Sequence, residues 1–171
     1  MRAEWIPKGE MEHILPALQP INRLACECSM ATGLRINDVL AGFTPERVRK
    51  RRFTLREEKT GKTKFVRLPV ELADRCLMCA GQHYVFEGRL NGRKPRTRQA
   101  VFKDLKKVAS MFGVKENITP HTMRKIYAVE EFKRSGGKLK KVQKLLNHDS
   151  EAVTMLYAMA DQMTKRKFFK K

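Results

Sequence analysis

The chain has 171 residues and carries 37 Lys and Arg against 18 Asp and Glu, a formal net charge of +19. That length suits one domain of ~100–200 residues with a substantial core, and the surplus of cations suits a polyanion such as nucleic acid. Membranes also attract cations, but no apolar run is long enough to span one and no segment reads as a signal peptide, so a cytoplasmic, DNA-associated protein with no membrane partner is expected.

Apolar periodicity predicts helices over 8–18 and 21–31, the first opening near Trp5. Two runs of strand-like alternation follow near 48–57 and 63–69, with Lys59-Thr60-Gly61-Lys62 between them as the turn of a hairpin. A helix is expected near 70–80, a short strand at Tyr84-Val85-Phe86, and helices near 97–112, 120–134, 138–146 and 150–160. The sum is an α+β fold, mainly α-helical with a small antiparallel sheet, in one domain over 1–171 with no internal repeat. Basic residues gather at Arg49-Lys50-Arg51-Arg52, at Arg93-Lys94-Pro95-Arg96-Thr97-Arg98 and at Lys165-Arg166-Lys167, punctuating apolar segments as a surface that tracks a phosphate backbone would. Cys26 and Cys28 form a C-x-C and Cys76 and Cys79 a C-x-x-C, but both pairs lie in helical, apolar segments where cysteine behaves as a small hydrophobe. No metal, disulfide or cofactor is expected.

The chemistry concentrates toward the carboxy end. Thr119-Pro120 reads as a helix N-cap and first-turn proline, and His121 and Arg124, three apart, then share a helix face. The next helix ends at Leu145-Leu146-Asn147-His148, with Asn147 as a left-handed C-cap. Asp149 or Ser150 can cap a further helix that carries Tyr157 two turns in. A tyrosine hydroxyl, with its pKa near ~10, attacks phosphorus only where cations and a base gather around it. Cations, imidazoles and one late tyrosine in this order therefore suit the breaking of a phosphodiester. Tyr127 and Tyr84 are rival nucleophiles, but Tyr127 lies in an apolar row with Met123 and Tyr84 in an apolar strand, so both are expected in the core.

This set resembles the catalytic half of the tyrosine recombinases, the phage integrase family of site-specific DNA recombinases, over nearly the whole chain. Thr32-Gly33-Leu34-Arg35-Ile36 is similar to that family's first arginine box, with Asp38 where an acidic residue usually follows. The family places its catalytic lysine in such a hairpin before the glycine of the turn, which makes Lys59 the match and Lys62 the reserve. The resemblance thus implies a tyrosine recombinase catalytic-domain fold and six catalytic residues: Arg35, Lys59, His121, Arg124, His148 and Tyr157. Departures are Asn147 where glycine is commoner, Asp149 after the histidine, and Glu130-Glu131 in the helix after Arg124. Family members generally carry an amino-terminal core-binding domain, and nothing here corresponds to it, so a truncated piece or a naturally small member is expected.

The activity implied needs no metal or nucleotide cofactor. Arg35 and Arg124 would fork onto the non-bridging oxygens of the scissile phosphate, His121 would assist deprotonation of Tyr157 or hold the phosphate, His148 would donate a hydrogen bond to it, and Lys59 would protonate the leaving 5′ oxygen. Tyr157 would be left in a 3′-phosphotyrosyl link. Lys62, Arg96, Arg98 and Lys125 are the further basic residues expected to meet DNA. Expected partners are double-stranded DNA with paired recognition sites and other protomers, the chain being a monomer when isolated and part of a tetramer in synapsis. The host would be a bacterium or phage. Phe168 and Phe169 in the basic tail are expected to seek an apolar pocket, on a neighbouring protomer by the resemblance. Two other readings share features with this one: a nicking-closing topoisomerase shares the chemistry, and a non-catalytic DNA-binding regulator shares only the charge.

Overall fold

The computed structural model describes residues 3–147. His148, Tyr157, the helix expected at 150–160 with its Asp149 or Ser150 cap, and the tail from Gln162 lie outside the described residues. Among those residues the helices are α1 (Lys8–Ile14), α2 (Pro20–Thr32), α3 (Ile36–Gly42), α4 (Pro45–Lys50), α5 (Val70–Met78), α6 (Arg98–Met111), α7 (Pro120–Arg134) and α8 (Leu139–Leu146). A hairpin of β1 (Arg52–Arg56) and β2 (Thr63–Arg67) lies between α4 and α5. The fold is mainly helical with a small antiparallel sheet, as the sequence predicts.

Local chemistry moves several boundaries. Pro16 cannot donate to an α-helical ladder, so the helix expected over 8–18 stops at Ile14 and continues as a 3-10 turn, Leu15–Ala17. The strand expected from residue 48 begins only at Arg52. Before it, Thr44 accepts from the Arg47 N–H at 3.4 Å and Pro45 occupies the first turn, so a short helix forms that buries Val48 and ends at left-handed Arg51. Helix α3, absent from the predicted elements, starts directly after Arg35 and buries Ile36, Val39 and Leu40.

The expected strand at Tyr84–Phe86 does not form. Val85 and Phe86 are buried, but the Val85 N–H donates to the Phe43 carbonyl in α3's C-cap at 2.9 Å and no strand lies alongside. Aromatic packing holds this loop instead, with Phe43 edge-on to Phe53 at 5.5 Å and tilted against Phe86 at 6.2 Å. The hairpin pairs Phe53 with Val66 and Leu55 with Lys64, so alternation turns Phe53, Leu55, Lys64 and Val66 toward the core. Its four-residue loop, 58–61, is closed by the Glu57 N–H donating to the Lys62 carbonyl at 2.9 Å, with Gly61 left-handed.

Helices α2 and α7 pack against each other at the centre of one apolar cluster. Their closest approach is at Gly33, which ends α2 at φ 67°, with the Tyr127 ring of α7 beneath it. A Cβ there would stand 2.3 Å from the ring. Gly33→Ala is therefore expected to destabilise the domain by ~2 kcal/mol or more, through both the left-handed backbone and the clash. Urea denaturation of the single variant and of Gly33→Ala with Tyr127→Ala measures this, the double variant recovering the part due to the ring.

Candidate active site

Three segments meet around one guanidinium. Thr119 caps α7, accepting from the His121 N–H at 3.2 Å while its own N–H donates to Thr122 Oγ1 at 3.1 Å. This fixes the first turn and sets His121 and Arg124 on one face. Arg124 is fully buried, and main-chain carbonyls meet its guanidinium. Its Nη1 donates to the Gly33 carbonyl, two residues before Arg35, and its Nη2 donates to the Leu146 carbonyl at 2.8 Å, two residues before His148. The Glu57 carboxylate, at the base of the hairpin loop, lies 3.7 Å from Nη1. Arg124 thereby holds the first arginine box, the hairpin and the end of α8 to one another.

Arg35, at the N-cap of α3, donates from Nη1 to Glu57 at 3.2 Å. Asp38, one turn into α3, accepts from the Glu58 N–H at 2.9 Å, and burial raises its carboxyl above the usual range. That bond pins the start of the hairpin loop. A groove of about 530 Å³ opens among Arg35, Asp38, Lys59, Arg98, His121 and Arg124. Four of the six predicted catalytic residues thus line one concavity; the other two, His148 and Tyr157, are outside the described residues.

The two hairpin lysines separate. Lys59 is exposed and lines the groove, whereas Lys62 donates to the Asn147 carbonyl at 3.0 Å. Asn147 is the left-handed C-cap of α8 at φ 54°, as predicted, and its amide donates to the Thr63 carbonyl at 3.2 Å. Of the other basic residues expected to meet DNA, Arg98 lines the groove, while Arg96 donates to Asn22 and Gln19 and Lys125 donates to the Ala3 carbonyl at 2.7 Å. Those two side chains brace the domain in this state. Tyr127 is half-buried beneath Gly33, and its hydroxyl is pushed up to about 12 by burial and by Glu131, which disfavours it as a nucleophile. Tyr84 lies in the 79–97 loop rather than a strand.

Cys26, Cys28 and Cys76 are buried, with 3.5 Å between the sulfurs of Cys28 and Cys76. Burial pushes the thiols of Cys26 and Cys28 well up, which keeps them protonated and inert.

Two residues of the site went unread in the sequence. Glu57 continues the inward face of β1 past Leu55, and Lys64 faces Leu55 across the hairpin. Strict alternation places both inward, and a buried charge of each sign is the available signal. Lys64 Nζ makes no hydrogen bond and sits 5.4 Å from the Tyr127 ring centroid. Burial and the Arg124 charge lower its pKa to about 7.

The comparisons agree with this geometry. The model of the phage integrase family matches residues 4–163. The chain belongs to the phage integrase family. A "Probable integrase/recombinase YoeC" from Bacillus subtilis is 28% identical over 81% of this chain and 77% of its own length. The tyrosine recombinase XerD of Staphylococcus aureus is 33% identical over 76 residues, which are 44% of this chain and only 25% of that relative. Among solved structures, the lambda integrase catalytic core covers 85% of this chain and 91% of its own at 21% identity and a TM-score of 0.68. A lambda integrase dimer bound to a COC' core site reaches a TM-score of 0.73 at 21% identity, over 91% of this chain and 59% of the other. This phage integrase member therefore has the catalytic-domain fold of that group. Among the described residues no helix is long and apolar enough to cross a membrane.

Lys64 yields a test of the buried charge. Its folded pKa lies below the unfolded value, so between about 7 and 10.5 the unfolded chain holds more protons and stability rises with pH. The contribution is up to ~1.4 kcal/mol per pH unit in that window. Lys64→Met should remove this rise and should be more stable than the parent at pH 7 and below. Urea midpoints of the two proteins from pH 6 to 10 measure the difference.

Proposed function

We propose that this chain is the catalytic domain of a site-specific DNA recombinase that cuts one strand with Tyr157. The observation that supports this reading is the convergence of Arg35, Lys59, His121 and Arg124 on one groove, reached from α3, the hairpin and α7. Two guanidiniums at a phosphate neutralise the charge that grows on its non-bridging oxygens as the nucleophile attacks. The oxygen of Tyr157 bonds to phosphorus, its proton passing to His121 or to water held there, and the bond from phosphorus to the 5′ oxygen breaks. Lys59, exposed on the loop, protonates that oxygen as it leaves. The product is a 3′-phosphotyrosyl link and a free 5′ hydroxyl, and the reverse step with a different 5′ hydroxyl exchanges strands. The arginines do the work a metal does elsewhere, so cleavage should persist in EDTA.

The net charge of +19 and basic residues such as Arg98 at the groove supply the attraction for duplex DNA. Pairing of protomers on two sites is part of the proposal, by likeness to the DNA-bound dimer above. It separates this reading from a topoisomerase, which would act alone.

Tyr157→Phe should abolish a denaturant-resistant protein–DNA adduct on a nicked substrate while leaving DNA binding nearly intact, because only the nucleophilic oxygen is lost. An adduct mapped to Tyr127 or Tyr84 in the parent chain would sink the assignment. Lys59→Ala should slow cleavage strongly, and sulfur in place of the 5′ leaving oxygen should restore much of the rate, since a thiolate leaves without a proton. Rescue of Lys62→Ala instead would move the acid to the other end of the loop.

A further inference from the structure

Glu57 is fully buried at the point where the proposed reaction needs positive charge. A carboxylate removed from water is costly unless it is paired and hydrogen-bonded. Its pairing is specific. Oε2 accepts from Arg35 Nη1 at 3.2 Å and from Thr60 Oγ1 at 2.8 Å, and Oε1 faces Arg124 Nη1 at 3.7 Å. Two guanidiniums that must face one phosphate repel each other before it arrives. A carboxylate between them offsets that repulsion and sets their separation.

Its location decides whether it supports the clamp or blocks it. Glu58 and Lys59 line the groove together with Arg35 and Arg124, but Glu57 does not. The carboxylate thus reaches the guanidiniums from behind and leaves the phosphate's place open. Thr60 adds a second link, since its hydroxyl belongs to the loop that carries Lys59, whose backbone closes on Glu57 itself through the Gly61 N–H at 2.9 Å.

We propose that Glu57 is a positioning residue for strand cleavage: it bridges Arg35 and Arg124 and ties both, through Thr60, to the loop bearing Lys59. One carboxylate then sets the spacing of the phosphate clamp and holds the proton donor's loop in register with it. This rests on the recombinase reading above.

The probe is a nicked duplex carrying the sequence that the full chain enriches from a random pool. It is made with an ordinary scissile phosphodiester, with a neutral methylphosphonate in its place, and with sulfur at the 5′ leaving position. Glu57→Gln keeps the shape and removes the charge. It should slow single-turnover cleavage of the diester on the order of 10²-fold, the scale of a misplaced catalytic group, without changing DNA affinity. On the methylphosphonate, which lacks the charge the clamp neutralises, the deficit should largely disappear. Thr60→Val removes the hydroxyl that donates to Glu57 and accepts from the Lys62 N–H at 3.3 Å, both at the hairpin loop, and should behave like a milder Lys59→Ala, slow on the diester and recovered by sulfur.

Equal losses on diester and methylphosphonate would reduce Glu57 to a fold element, and faster cleavage by Glu57→Gln would make it a competitor of the phosphate. Either result overturns the proposal. If the parent chain cleaves none of the three substrates, the recombinase reading fails instead. The bridge is then judged by side-chain NMR of the free protein. A slowly rotating Nη1 group of Arg35 that becomes averaged in Glu57→Gln supports it, with Arg124, held by the Gly33 and Leu146 carbonyls, as the internal control; an Arg35 group already averaged in the parent refutes it.

Discussion

The fully buried guanidinium of Arg124 organises the site. An arginine side chain cannot give up its proton, so burying it demands acceptors with fixed geometry. Two of these are backbone carbonyls, of Gly33 and Leu146, from segments that precede Arg35 and His148. Because main-chain acceptors cannot rotate away, the loop after α2 and the end of α8 are drawn to α7 at defined distances. The close approach of Gly33 to Tyr127 follows from the same demand, since any Cβ would push the carbonyl off its donor. The apolar packing of α2 on α7 supplies the stability, while the arginine supplies the register.

Around that centre charge is unevenly matched. Arg35, Arg124 and Lys64 gather around two buried carboxylates, Glu57 and Asp38, the latter turned to the Glu58 N–H. The interior lowers the cost of this imbalance by favouring the neutral form of Lys64, the one cation of the three that can shed its proton. A negative charge brought to the groove would oppose that preference, because it favours the protonated amine. The site carries an excess of positive charge.

Much of this was legible in the residues. The Thr119-Pro120 start, the His121 and Arg124 face and the Asn147 cap carry strong local signals, since capping chemistry depends on side chains a few positions apart. The hairpin was legible from alternation and Gly61, although its first strand starts later than expected because Thr44-Pro45 begins a helical turn. Less accessible were the features fixed by distant contacts. Val85 and Phe86 look like a strand, but they form no ladder: burial against Phe43 and single backbone bonds, to the Phe43 carbonyl and from the Arg96 N–H, hold them. Arg96 and Lys125 read as surface cations, yet their partners Asn22, Gln19 and Ala3 lie 74, 77 and 122 positions away in sequence. Glu57 and Lys64 were hidden for a related reason: a charged residue at an inward strand position is usually discounted, and only the fold reveals the opposite charges around it.

The left-handed cap at Asn147 carries one more implication. Glycine adopts that backbone more cheaply and would keep the main-chain carbonyl that receives Lys62, but it has no side chain with which to hold the hairpin. Asparagine adds an amide that grips the Thr63 carbonyl, while its own carbonyl receives Lys62. The end of α8 and the hairpin are therefore buttoned together at both sides of one residue, so that a shift of the loop would draw on the last turn of α8. In mechanical terms Asn147 is a pivot with a return linkage: the left-handed backbone turns the chain, and two bonds tie that turn back to the hairpin.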